Sequence, residues 1–172
     1  MESFFASDPW VRLPLYAIVG IVAEILFTAL QDLIDPRFLK SWNVHGRNIL
    51  QERPDWRWQG RDPRATGYTF LWMIPIYMAM VFLEPIHHAI AHWPWPLRGL
   101  LYVLLVWIAE YVTGAIIRLV TGKCPWDYSY SKYSLHGLIR WDFAHVWFIF
   151  GFIFEYLHPR LVALTPHIRA IF

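Results

Sequence analysis

The sequence predicts an all-α fold: a polytopic membrane protein with four transmembrane helices in a bundle and two polar loops between them. Three observations carry this. First, the 172 residues are 57% hydrophobic and 19% aromatic. Second, only 16% are charged, where a soluble domain carries about a quarter. Third, the apolar residues fall in runs of about 20, the length that crosses a ~30 Å hydrocarbon core. One membrane domain over residues 1–172 follows. A net charge of +2 implies no polyanion partner. The single Cys124 leaves no intrachain disulfide and no cysteine zinc cluster.

The first span is expected over residues 13–34. Trp10 and Arg12 before it read as an interfacial anchor. No basic leader precedes the run and no small-residue cleavage site follows it, so it reads as a retained span. It holds one mid-span charge, Glu24, with Gly20 one turn earlier. Residues 35–66 carry seven Arg and Lys residues interleaved with Trp42, Trp56 and Trp58. Single-stranded nucleic acid is bound by such mixtures, but beside membrane spans the pattern reads as a loop lying on anionic headgroups. No nucleic-acid partner is expected.

The second span is expected over 68–90, kinked by Pro75 and Pro85, with Tyr77, Glu84 and His88 on one face. The turn at 92–98 holds two prolines, which argue against helix. The third span, 99–120, carries Glu110, Gly114 and Arg118 at intervals of four, one face of a helix. Residues 122–142 form a second polar segment with the box Cys124-Pro125-Trp126-Asp127-Tyr128-Ser129, and a short interfacial helix is expected around 134–139. The fourth span, 143–163, holds His145, Gly151 and Glu155, and Pro159 is expected to kink its end. Residues 165–172 are too few to span and are expected at the surface. No internal repeat is evident.

Orientation follows from Lys and Arg. The two long polar segments hold eleven, counting Arg118 at the span edge, against four elsewhere. Both segments are therefore expected in the cytoplasm and both termini outside it.

Gly67-Tyr68, Trp72, Pro75-Ile76-Tyr77, Glu84-Pro85, Arg98-Gly99, Tyr102 and the stretch from Glu110 to Ser129 resemble the CmpB-like putative ABC-transporter (type IV) membrane protein family. The resemblance covers about residues 67–155, and the Cys-Pro-Trp-Asp-Tyr-Ser box is its most specific part. It implies a multi-span membrane protein, with small four-span relatives in animals. Family members often continue with an aromatic-Asn-Leu-x-Gly-Arg stretch; here Tyr133-Ser134-Leu135-His136-Gly137-Leu138 lacks the Asn, and the Arg is displaced to Arg140. The chain contains no Walker A loop, hence no ATPase of its own.

Three constellations are candidates for chemistry. Glu24, Glu110 and Glu155 each fall near the bilayer middle, where a carboxylate is costly and faces a protein interior. They are read either as a proton or cation site or as interhelical hydrogen-bonding groups. Arg118, Trp126, Asp127, Tyr128, Ser129 and His145 form a cytoplasmic-mouth box. Arg118 is expected to pair with Asp127, with Asp32 and Asp142 as further candidates, and Asp127 alternatively caps a short helix; the box serves either to cap the bundle or to recognise a headgroup or solute. Glu84, His87, His88 and His92 have metal-compatible spacing, but the remaining histidines, His158 among them, look isolated. No metal and no cofactor are expected, and Cys124 reads as a packed thiol. The leading function is a transporter-like or channel-like component, working with the lipid bilayer and as a homo-oligomer or beside a partner membrane subunit. The alternatives are a membrane-embedded enzyme acting on a lipid headgroup, through Asp127 or His145 at the cytoplasmic face, and a structural or assembly subunit.

Overall fold

Four helical spans pack side by side in a computed structural model that describes residues 8–34, 65 and 67–171. The basic segment expected over 35–66 lies, but for Ala65, outside the described residues. Helix α1 covers Pro9–Ile34. The second span is α2 (Met73–Met78), a 3-10 turn (Ala79–Phe82) and α3 (Leu83–Ile90). Its break has a simple cause. Pro85 has no N–H to offer the Val81 carbonyl, and the chain tightens just before it. Helix α4 covers Trp95–Thr121 and α5 covers Ala144–Arg169. All four spans are long and apolar enough to cross a membrane. This is an integral multi-pass membrane protein.

Several boundaries differ from expectation. The prolines of 92–98 do not exclude helix: Pro94 caps α4 at ψ 137° and Pro96 sits in the first turn, where the missing N–H has no intrahelical partner to lose. At the other end Gly122 adopts φ +78°, and its N–H bonds the Arg118 carbonyl at 2.9 Å, a left-handed C-cap. Helix α5 runs on through Pro159 and Pro166, so Thr165, expected at the surface, is buried.

The short helix expected around 134–139 is a β-hairpin. Strands β1 (Ser134–Leu135) and β2 (Ile139–Arg140) pair antiparallel. His136 and Gly137 have φ of +54° and +73°, and Leu138 N–H bonds the Leu135 carbonyl at 3.0 Å. Two successive left-handed residues make a type I′ turn, which matches strand twist and cannot sit in a helix. A 3-10 turn, Trp141–Phe143, leads from the hairpin into α5.

Leu100, Leu104, Ile108, Val112 and Ile116, four apart on α4, are all exposed and form its lipid-facing stripe. Two aromatic-rich cores lie inside the bundle. One centres on Tyr16, Tyr102 and Phe154, the other on Trp126, Tyr128 and Phe143. Close helix approach depends on glycine. A Cβ on Gly20 would lie 2.2 Å from the Tyr77 ring, and one on Gly151 2.4 Å from the Tyr102 ring.

Candidate functional site

Polar groups from all four spans meet at the end of the bundle where α1 and α4 begin. Arg12 on α1 is fully buried, and its guanidinium grips Glu84 of α3 through Nε and Nη2 at 2.7 and 2.5 Å. The Tyr16 hydroxyl, one turn along α1, donates to Glu84 Oε1 at 2.9 Å. His158 of α5 approaches the same hydroxyl through Nδ1 at 3.3 Å, and its Nε2 lies 3.2 Å from His88 Nε2. Arg12 also donates to Thr165 Oγ1 at 3.3 Å. Beside this set lies a second one. Arg98 of α4 grips Glu155 of α5 through Nε and Nη2 at 2.8 and 2.9 Å. Tyr102 hydrogen-bonds Glu155, and its hydroxyl lies 3.1 Å from His87 Nδ1.

A separate neighbourhood lies deeper. Glu24 accepts from Thr69 at 2.7 Å and hydrogen-bonds the Tyr77 hydroxyl. Thr69 is held there because the Thr28 hydroxyl bonds the backbone of Tyr68 on both sides, accepting at 2.9 Å and donating at 3.1 Å. Tyr77 is within electrostatic reach of both Glu24 and Glu110. Tyr128 reaches Glu110 Oε1 at 3.5 Å, while Glu110 Oε2 is buried with no hydrogen-bond partner among the described residues. Glu24 is eight residues beyond Tyr16 and Glu110 eight beyond Tyr102, so the two neighbourhoods are separated by about 12 Å of helix rise.

At the opposite end of the bundle the mouth box is folded by its own backbone. Trp126 Nε1–H donates to the Leu138 carbonyl at 2.9 Å, and Tyr128 N–H to the Gly137 carbonyl at 2.9 Å. The Asp127 carboxylate accepts from Ser129 N–H at 2.9 Å. Arg118 donates to the His136 carbonyl at 2.9 Å and forms no ion pair with Asp127 among the described contacts. Arg140 is buried, bidentate to Asp142 at 2.9 and 2.5 Å, and stacks over Phe143 with its guanidinium carbon 4.0 Å from the ring centre. His145 is exposed at the start of α5. Burial pushes the hydroxyl pKa of Tyr128 well above its ordinary value, and that of the Cys124 thiol up as well.

The structure thus bonds Glu24 to Thr69 and Tyr77, sets Glu110 against Tyr128 within electrostatic reach of Tyr77, and puts Glu155 elsewhere, opposite Arg98. Arg12 is no interfacial anchor but a core group, and His158 is not isolated. His92 is exposed, away from this packing. No three His, Cys, Asp or Glu side chains among the described residues are arranged to hold a metal ion. Sequence reasoning passed over Arg12, Tyr16, Arg98, Tyr102 and His158 as site residues. The signal was there: an Arg four residues before a Tyr on two spans, and a Glu three before a His on the other two.

Residues 59–172 match the model of the family described as Putative ABC-transporter type IV. The chain belongs to this family. In this family member the match takes in the second, third and fourth spans, and every group of the two neighbourhoods except those on α1 falls within it. No solved structure matches the chain.

Proposed function

We propose that this family member is a transporter-like or channel-like membrane component that carries protons or small cations through the neighbourhood of Glu24, Tyr77 and Glu110. One observation carries the reading: Glu110 keeps a buried carboxylate oxygen with no hydrogen-bond partner among the described residues, next to a tyrosine that also serves Glu24. A carboxylate inside a membrane is expensive, and one retained for structure alone would have both oxygens bonded. An oxygen left open is an acceptor for a proton or a cation. The box beyond it, with Tyr128 touching Glu110, closes that neighbourhood toward the α4 C-terminus. Four spans enclose little volume, so we place the working form in an oligomer or beside a partner subunit in the bilayer. The box end is assigned to the cytoplasm.

The test is flux in liposomes with a pH-sensitive dye inside. Glu110→Gln keeps size and hydrogen-bonding capacity but cannot carry the charge. It should fold with an unchanged melting temperature and lose proton or cation flux. Unchanged flux in Glu110→Gln liposomes would reject the proposal.

A further inference from the structure

The site is built twice. Arg12, Tyr16 and Glu24 on α1 are spaced four and eight apart, and Arg98, Tyr102 and Glu110 repeat those intervals on α4. Glu84 and His87 on α3 are three apart, as are Glu155 and His158 on α5. The contacts repeat as well: Arg12 grips Glu84 as Arg98 grips Glu155, and a tyrosine from the arginine's helix bonds each glutamate. Consecutive spans alternate in direction, so α1 and α4 run the same way. The polar pattern of α1 and α3 therefore recurs on α4 and α5, and the two spans of each pair are taken as one unit. The sequence alone showed no such repeat.

The arginine–glutamate pairs lie within a unit, α1 with α3 and α4 with α5. The histidines reach between units. His158 of the second unit meets Tyr16, Glu84 and His88 of the first, with its Nδ1 3.6 Å from Glu84. His87 of the first unit meets Tyr102 and Glu155 of the second, 3.8 Å from the carboxylate.

The protons can be placed. Glu84, held by a guanidinium, only accepts, so Tyr16 gives it its one hydroxyl proton. His158 Nδ1 must then be an N–H pointing at the Tyr16 oxygen. In a neutral ring Nε2 is left as the acceptor, and His88 Nε2–H must be the donor to it. A further proton on His158 puts an N–H opposite His88 Nε2–H, and the contact then holds only if the His88 proton moves to Nδ1. Within the two ion pairs the charges balance, Arg12 against Glu84 and Arg98 against Glu155. Added protons put like charge on three rings whose centres are 5.1 to 5.6 Å apart. His88 is exposed and can take up a proton from outside the bundle. Phe154, stacked on His158 at 5.8 Å, offers no counter-charge.

We propose that His87, His88 and His158 form a proton-binding site at the joint between the two units, and that loading it parts the units at this end of the bundle. The site goes beyond the flux reading and does not depend on it. Histidine is the side chain whose ordinary pKa lets it load between about pH 5 and 8.

Spin labels on Trp10→Cys and Leu97→Cys, both exposed and one on each unit, report the separation in the full chain in nanodiscs, with Cys124→Ser as background. The inter-label distance should be longer at about pH 5 than at about pH 8. The difference should vanish in His88→Gln/His158→Gln and persist in Glu110→Gln. Equal distances at both pH values overturn the proposal without any histidine variant. So does a difference that survives replacement of all three histidines by Gln. A flux failure in liposomes touches neither result.

Discussion

Glu84 accepts from Arg12 twice and from Tyr16 once, inside the apolar part of the fold. Such a pair contributes less through its own attraction than through the penalty for breaking it. The remaining member stays buried and ionised without the opposite charge it was paired with here, at a cost of about 3–5 kcal/mol. Glu84→Ala should therefore lower the unfolding temperature in detergent sharply, and Arg12→Met in the same chain should restore much of the loss. Thermal unfolding of the two single variants and the double variant reads this directly. A double variant no more stable than Glu84→Ala would contradict the pairing. Arg12 also shows why this end of the bundle was hard to read. A charge near a span end normally reaches for headgroups, and its partner is 72 residues away, beyond any local periodicity. Glu24 and Glu110 were legible because a charge deep in an apolar run needs a reason to be there. Which of the carboxylates would meet was not, since that depends on Tyr77 and on helix rotation.

The elements divide the same way. The four spans were legible from apolar run length, a property of each segment alone. The hairpin was not. Its turn is His136-Gly137, outside the usual Asn-Gly or Asp-Gly pairs that announce type I′ geometry. Two glycines test what its local geometry is worth. Gly122 and Gly137 share a positive φ of +78° and +73°, but a Cβ on Gly122 would meet nothing within 4 Å. On Gly137 it would lie 2.5 Å from Ser129 Oγ and 2.9 Å from Asp127 Oδ1. Gly122→Ala should cost only the left-handed backbone strain, about 1–2 kcal/mol. Gly137→Ala should cost more, and should free the Trp126 indole from the Leu138 carbonyl it bonds. Thermal unfolding and tryptophan emission separate the two variants. Equal effects would mean that the hairpin does not pack on the box.

At the scale of the whole molecule, the proposed joint between two-span units makes orientation consequential. The four spans of the described residues put the start of α1 and the end of α5 on one side of the membrane. The histidine joint lies at that end, and the mouth box at the other. The repeat escaped sequence reading because only a few polar positions recur on otherwise interchangeable apolar helices, while the segments that follow α1 and α4 differ in length and character. The excess of Lys and Arg in the two long polar segments predicts that the box faces the cytoplasm, so the histidines would sample the pH of the opposite compartment. Labelling intact cells with a membrane-impermeant maleimide decides it. Trp10→Cys and Lys132→Cys are suitable sites, because both side chains are exposed and lie at opposite ends. Native Cys124 is replaced by Ser in both, although its half-buried thiol, pushed up in pKa, keeps less thiolate at neutral pH than a free cysteine and should react slowly. The expected result is labelling of Trp10→Cys on intact cells, and of Lys132→Cys only after permeabilisation. The reverse pattern would turn the bundle over and expose the histidine joint to the cytoplasm. Labelling of both sites on intact cells would mean that the spans do not carry the chain across as a four-span bundle.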